Sequence, residues 1–384
     1  MQTQKLYYAD CHLDRFRSRV VSCAQTEKGY EVILDATAFY PEGGGQACDL
    51  GTLGNVNVLD VQERGEQVVH LCDGLLAPDT QVEGIIDWQR RFDLMQQHTG
   101  EHIVSGVIHR LFGYDNTGFH VGADVVTVDF DGMIPPEALS QIEAEANKAV
   151  WQNLQLRCWY PSEEELPQVG YRTKRALPWP VRIVEIPGVD KCACCGVQVS
   201  HTGEVGLIKL FSCVKFHQGA RIEMACGARA LALLNAAYDQ NRQVSQAFSA
   251  KIFETGEAAR TMNKRLADAE YRANCLQKEI FDTVAAGYEG KGNVLHCQPD
   301  CPPAQLRELA DRIALRCGGI ACVYSSSADS CNICLMSKTD DLKALGKKLK
   351  EELGARGGGK PGCFQGTVPA DGNQLELFFA PWKA

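Results

Sequence analysis

The chain has 384 residues, 45% hydrophobic and 23% charged, with a formal net charge of −9. That length predicts two or three domains with ample core, and no apolar run approaches a membrane span. The acidic balance argues against a general nucleic-acid binder while leaving room for a local basic patch. The opening residues do not read as a signal peptide, so a cytoplasmic protein is expected, its 18 cysteines present as thiols.

Residues 1–90 read as β structure. Short alternations such as 29–35, 56–61 and 67–71 are separated by Gly, Asp, Asn and Pro. Between them stands Phe39-Tyr-Pro-Glu-Gly-Gly-Gly-Gln46. Three successive glycines, Gly43, Gly44 and Gly45, suit close approach of backbone to a ligand or to another segment; a mobile hairpin loop is the plain alternative.

Apolar periodicity over 93–111 predicts an amphipathic helix with a soft spot at Gly100. On it His98 and His102 stand four apart, neighbours on one face that can point at one metal ion. Two histidines sharing a face by chance meet the spacing equally well. Glu101, beside a candidate ligand, suits a general base; a solvated helix residue is its bland counterpart. A turn at 117–122 follows, then a strand at 125–130 and, after Pro135-Pro136, a helix over 137–153. A strand at 181–186 leads into Cys192-Ala-Cys194-Cys195, the one cysteine cluster that asks for chemistry. Another strand is expected over 207–211.

Residues 226–286 predict one long helical tract or a helical hairpin whose apolar stripe reads as a packing seam. Residues 287–384 alternate β and α, with helices at 303–317 and 340–353. Six positive side chains between 343 and 360 face two negative ones. They adjoin the glycine run Gly357, Gly358, Gly359, whose N–H groups could meet phosphates. An ordinary solvated lysine face is the alternative.

In order, Phe39-Tyr-Pro-Glu-Gly-Gly-Gly-Gln46, Arg90-Arg91, His98-x-x-x-His102, the strand ending Asp129-Phe130, the Cys194 cluster, Thr202-Gly-Glu-Val-Gly206, Arg221-Ile-Glu and Cys226-Gly-Ala-Arg-Ala-Leu231 resemble the editing half of alanyl-tRNA synthetase. The chain is most similar to the free-standing, long-form alanyl-tRNA editing proteins. The resemblance implies an α+β multidomain fold. It comprises an N-terminal β-barrel (1–90), an α+β editing core with a zinc site (91–225), a coiled-coil-like helical arm (226–286) and a small C-terminal α/β domain that binds tRNA (287–384). It also implies hydrolysis of the ester in tRNA(Ala) mischarged with serine, or with glycine, and a homodimer through the arm or C-terminal domain.

The family binds zinc through HxxxH and CxxxH, which fall on His98, His102, Cys194 and Gln198. Gln198 departs from the family's histidine, and an amide oxygen is a poor zinc ligand. Three arrangements are open: Gln198 ligates weakly or yields to water; Cys192, Cys195 or His201 moves in; or the protein has lost zinc and only binds. The resemblance places Gly43, Gly44, Gly45 and Gln46 over the pocket, Thr117 and His120 among its lining, and Lys347, Lys348, Arg356, Gly357, Gly358, Gly359 and Lys360 on tRNA. Two rivals remain. His98-Thr-Gly-Glu-His102 also spells the HxxEH motif of a zinc metalloprotease, and the many thiols with Gln198 suit a non-catalytic tRNA-binding or redox-sensing protein.

Overall fold

The computed structural model describes residues 2–173, 177–327 and 329–382. The chain forms two compact units, Met1–Gln243 and Val244–Ala384.

In the first unit, strands Arg15–Thr26, Gly29–Leu34, Gln67–Cys72, Val56–Arg64, Gly51–Leu53 and Gln81–Ile86 pair in that order and close into a barrel. Val56 and Val58 face its core; a bulge between Val58 and Asp60 then shifts the alternation so that Val61 also turns inward. His70 is fully buried in the barrel wall. Its Nδ1–H donates to the Val32 carbonyl (3.1 Å), leaving Nε2 to accept from the Thr37 hydroxyl (2.8 Å).

Helix α1 (Trp88–Phe112) leaves the barrel directly, capped by the Asp87 carboxylate on the Arg90 N–H and ended by Gly113 at φ 73°. The sequence predicts a shorter, amphipathic helix. The observed one is buried on every side from 94 to 108. It is enclosed by helix α2 (Leu139–Trp151), a four-stranded sheet and a three-stranded sheet. The first sheet runs in the order Ile208–Phe216, Gly219–Cys226, Val126–Phe130, Asn116–Val121, the second Arg157–Trp159, Ile183–Ile186, Asp190–Ala193. Gly100 is therefore no soft spot: a Cβ there would lie 2.2 Å from Cys226 Sγ, and one at Gly106 2.4 Å from the Val189 carbonyl oxygen. The polar residues of α1 are buried because each finds a partner on another element. Gln97, for instance, accepts the Cys226 N–H (2.7 Å) and donates to its carbonyl (3.0 Å).

An ion pair pins the start of α1 to the loop that carries the glycines. Arg91 and Asp49 are both fully buried. Arg91 Nε donates to Asp49 Oδ1 (2.8 Å), Nη2 to Asp49 Oδ2 and to the Ala38 carbonyl, and Nη1 to the Cys11 carbonyl (3.3 Å). The Tyr40 N–H also donates to Asp49.

The predicted 226–286 tract is two helices, α3 (Gly227–Phe248) and α4 (Thr255–Ala286), interrupted where Ser249 takes a positive φ of 50°. In the second unit a five-stranded sheet runs Gly292–Cys297, Gly318–Ser326, Cys331–Met336, Cys363–Val368, Arg356–Gly358. Alternation divides its faces. Ala321 and Val323 meet helix α5 (Pro303–Cys317) and the end of α4; Cys322 and Tyr324 meet α6 (Lys343–Leu353) and α7 (Gly372–Phe379). The predicted glycine loop is an edge strand instead. A Cβ at Gly357 would lie 2.3 Å from the Gln365 carbonyl oxygen and one at Gly359 2.0 Å from that of Cys363, so these glycines admit a neighbouring strand. No helix among the described residues is long and apolar enough to cross a membrane.

Candidate metal centre

His98 and His102 lie near the middle of α1, 2% and 3% exposed, their rings stacked with centroids 5.3 Å apart. Cys194 follows the strand Asp190–Ala193 and brings Sγ to 3.4 Å from His98 Nε2. The ligand atoms of His98, His102 and Cys194 fall within 4.8 Å of one another.

What surrounds the two rings fixes their orientation. His98 Nδ1 is 2.8 Å from Gln46 Oε1 and His102 Nδ1 is 3.0 Å from Asp190 Oδ2. An acceptor at each Nδ1 puts the proton there and leaves Nε2 as the lone-pair nitrogen, the arrangement that metal-binding histidines use. Asp190 Oδ1 is held in turn by Arg172 Nε (2.8 Å). Two imidazoles and a thiolate suit zinc.

The ionisable groups here are electrostatically coupled. Burial pushes the Cys194 thiol up, but the His98 and His102 rings outweigh it and hold the thiol well below its ordinary value. Burial opposes charge on His102, yet Cys194 and the Asp190 carboxylate raise that ring well above its ordinary value. Burial likewise opposes ionisation of Asp190, and His102 and Arg172 prevail to lower it.

The loop after Cys194 is clamped from behind. Arg182 Nη1 donates to the carbonyls of Cys194 (3.0 Å) and Gly196 (2.8 Å), its guanidinium lies 4.5 Å from the Tyr8 ring centroid, and Tyr8 donates to the Cys195 carbonyl (2.7 Å). Gly196 permits the approach: a Cβ there would lie 2.1 Å from His98 Cε1. The glycine loop closes on the other side, Gly43 and Gln46 exchanging backbone hydrogen bonds of 3.0 Å. Gly44 and Gly45 have φ 59° and 83°, and a Cβ on Gly45 would lie 2.6 Å from the Phe119 ring, which itself covers His98 at 5.0 Å between centroids. Gln46 Nε2 is buried with no hydrogen-bond partner among the described residues.

Other expected site residues stand as follows. Gln198 is buried, its Oε1 accepting from Thr99 Oγ1 (2.8 Å) and its Nε2 lying 3.6 Å from Cys194 Sγ. Glu101 is no solvated residue: at 5% exposure its Oε1 accepts from Ser105 Oγ (2.6 Å) and Asn116 Nδ2. Thr117 and His120 are both exposed. Thr117 is the unpaired residue of a bulge opposite the Asp129–Phe130 step, while His120 alternates to the face opposite Phe119. Cys192 groups with His102 and Asp190, ligand atoms within 4.8 Å of one another, and His201 Nδ1 is engaged by Ser200 Oγ (3.0 Å). In the second unit, Lys347 and Lys348 are exposed, 3.6 and 3.7 Å from Glu351 and Glu352 one turn on. Arg356 and Lys360 are exposed beside them in sequence. Asp190, Arg172, Arg182, Thr99 and Phe119 escaped the sequence reading. Only Phe119 left a usable signal, the alternation of 116–121.

Residues 3–90 match the family of class II (A) tRNA synthetases, and residues 181–223 the second additional domain of threonyl and alanyl tRNA synthetases. The first match covers the barrel and glycine loop, the second Cys194 and Gln198. An alanine–tRNA ligase of Thermofilum pendens is 30% identical over 392 residues, 95% of this chain but 42% of the ligase. The chain thus spans less than half of that relative. The alanyl-tRNA editing protein Aarsd1 of Mus musculus is 26% identical over 382 residues, 94% of this chain and 92% of that protein. Among solved structures, the C-Ala domain of Aquifex aeolicus alanyl-tRNA synthetase is 21% identical and covers 24% of this chain and 91% of its own, with a TM-score of 0.22, too low to carry a fold assignment.

Proposed function

We propose that this chain, similar over nearly all its length to alanyl-tRNA editing proteins, is a trans-editing hydrolase. It deacylates tRNA(Ala) mischarged with serine, and with glycine, using zinc held by His98, His102 and Cys194. The observation that carries the reading is the three-ligand group with both Nδ1 atoms already committed to acceptors.

Zinc held there supplies a Lewis acid beside the ester and the amino end of the substrate. The chain's own residues do the rest. Gln46 Oε1 keeps the proton on His98 Nδ1, which leaves Nε2 of that ring for the metal. The Gly43, Gly44, Gly45 loop and Phe119 cover His98 and exclude bulk water. Cys194 is the least buried of the three candidate ligands. Thr117 contributes a rim contact. Glu101 anchors the strand that carries Phe119 through Asn116, and the HxxEH metalloprotease reading meets a cysteine where that class uses a carboxylate.

We assign the barrel with its loop to 1–90, the editing core to 91–225, the arm to 226–286 and the tRNA-binding domain to 287–384, the whole acting in the cytoplasm. Lys347, Lys348, Arg356 and Lys360 take backbone phosphates of tRNA(Ala). The exposed row Met262, Leu266, Leu276, Ile280 on α4 is the face for a second copy.

The test is elemental analysis of the purified protein beside deacylation of Ser-, Gly- and Ala-tRNA(Ala). Zinc near one equivalent and faster loss of serine than of alanine are expected. Equal rates on Ser- and Ala-tRNA(Ala), or no hydrolysis with zinc present, would refute the reading.

A further inference from the structure

The position that the resemblance gives to a fourth ligand is Gln198, and its amide faces away from that task. Thr99 Oγ1 already accepts the Val199 N–H (3.1 Å), so its own proton is free to go to Gln198 Oε1 at 2.8 Å. That turns the NH2 end of the amide toward Cys194 Sγ, 3.6 Å away. The Gly196 N–H reaches the same sulfur at 3.3 Å. Reversing the amide would set its oxygen against a thiolate, two acceptors face to face, while giving up the proton of Thr99. Thr99 and Gln198 are 0% and 2% exposed, so both ends are shut off from bulk water.

Resting on the reading that the site holds zinc, we propose that Gln198 is an N–H donor to the Cys194 thiolate and not a fourth ligand. The metal then keeps one position free of protein side chains. Among the described residues, the one group of ligating side chains that contains His98 has three members. Cys192 sits behind His102 with Asp190, and a Cβ on Gly44 would lie 3.1 Å from the Cys195 sulfur, which is thus turned to the glycine loop. Two N–H groups on one sulfur draw charge from it and weaken it as a donor, which tunes a metal through its ligand. Zinc sites that act on substrates keep three protein ligands and one open position. Replacing the family's histidine by glutamine here converts a closed ligand set into an open one.

The experiment loads the full-length protein with Co2+ and reads its spectrum, with no tRNA present. Titration of the wild type with azide is expected to change the visible Co2+ bands, since azide can enter the free position. Gln198→Leu is expected to take up Co2+ with an affinity within about tenfold of wild type, the lower end for one lost hydrogen bond to a charged group. Its thiolate-to-Co2+ charge-transfer band should move to longer wavelength, because the sulfur has lost a donor. Gln198→His is expected to bind more tightly and to lose the azide response. An azide-silent wild type would overturn the proposal, independently of how any variant folds. So would a loss of more than about a hundredfold in Gln198→Leu with the sulfur band unmoved, the mark of a departed ligand or of its orienting partner. A protein that takes up no Co2+ would overturn this inference together with the metal reading. One that binds Co2+ as described yet leaves Ser-tRNA(Ala) intact would refute only the proposed activity.

Discussion

Replacing Arg91 with methionine removes one half of the ion pair that pins α1 to the loop before it. The Asp49 carboxylate, fully buried, would keep the Tyr40 N–H and lose both bonds from the guanidinium. The Ala38 and Cys11 carbonyls would lose their donor as well. Leaving one charge of a buried pair uncompensated costs about 3–5 kcal/mol, against a total stability of roughly 5–15 kcal/mol for a folded domain. With a urea slope of about 2 kcal/mol per molar, the unfolding midpoint of the first unit should fall by roughly 2 M. Tryptophan fluorescence in a urea titration reads this, since Trp88 begins the helix that Arg91 pins. Replacing both partners, Arg91→Met with Asp49→Leu, should recover at least about 2 kcal/mol, because no lone charge then remains. A single variant that loses under about 1 kcal/mol, or a double variant no better than the worse single one, would show that the pair does not hold the helix to the loop.

Gly196→Ala should leave the fold intact and abolish metal retention through dialysis, because the added Cβ would lie 2.1 Å from His98 Cε1; retained metal would mean the loop can yield. Asp190→Asn should weaken zinc affinity by about 10–100-fold in a chelator competition, as the carboxylate orienting His102 becomes an amide. His70 is pushed by burial down to about 4 in the folded barrel. The unfolded chain therefore takes a proton below about 6.5 that the native state refuses, and stability should be full above that pH and fall by about 3 kcal/mol on acidification toward 4. Urea midpoints across that window should show the slope, and His70→Gln should flatten it. Replacing Lys347 and Lys348 with glutamine should lower the salt slope of tRNA binding by about one unit for each lost phosphate contact; an unchanged slope would place the tRNA elsewhere.

The two histidines were legible because helical spacing alone brings positions four apart together. The burial of α1 was not. A periodicity reading counts Gln96, Gln97, Thr99, Glu101 and Ser105 as polar, and cannot see that a distant strand or loop satisfies several of them. For the same reason Asp190 stayed hidden: its tie to His102 spans 88 residues. Both glycine runs were read as places of close approach. In 43–45 the approach is to Cys195 and Phe119 at the site, whereas at Gly357 and Gly359 it is to the neighbouring strand. Glycine marks the absence of a side chain without saying what fills the space. Phe119 and Thr99 orient the site but do no chemistry that their residue types would announce.

The contacts that complete the candidate metal centre join residues 52, 96 and 99 positions apart: Gln46 to His98, His98 to Cys194, and Thr99 to Gln198. As the chain leaves the ribosome from its N-terminus, the barrel, the glycine loop and both histidines emerge well before the thiolate. Until then α1 also lacks the strand Gly219–Cys226, against which Gly100 is fitted. A nascent chain arrested ahead of that strand would expose the most buried helix of its unit, polar side chains unpaired, and would depend on chaperones at that moment. The second unit is made later still, so all three candidate ligands have been synthesised before any of it.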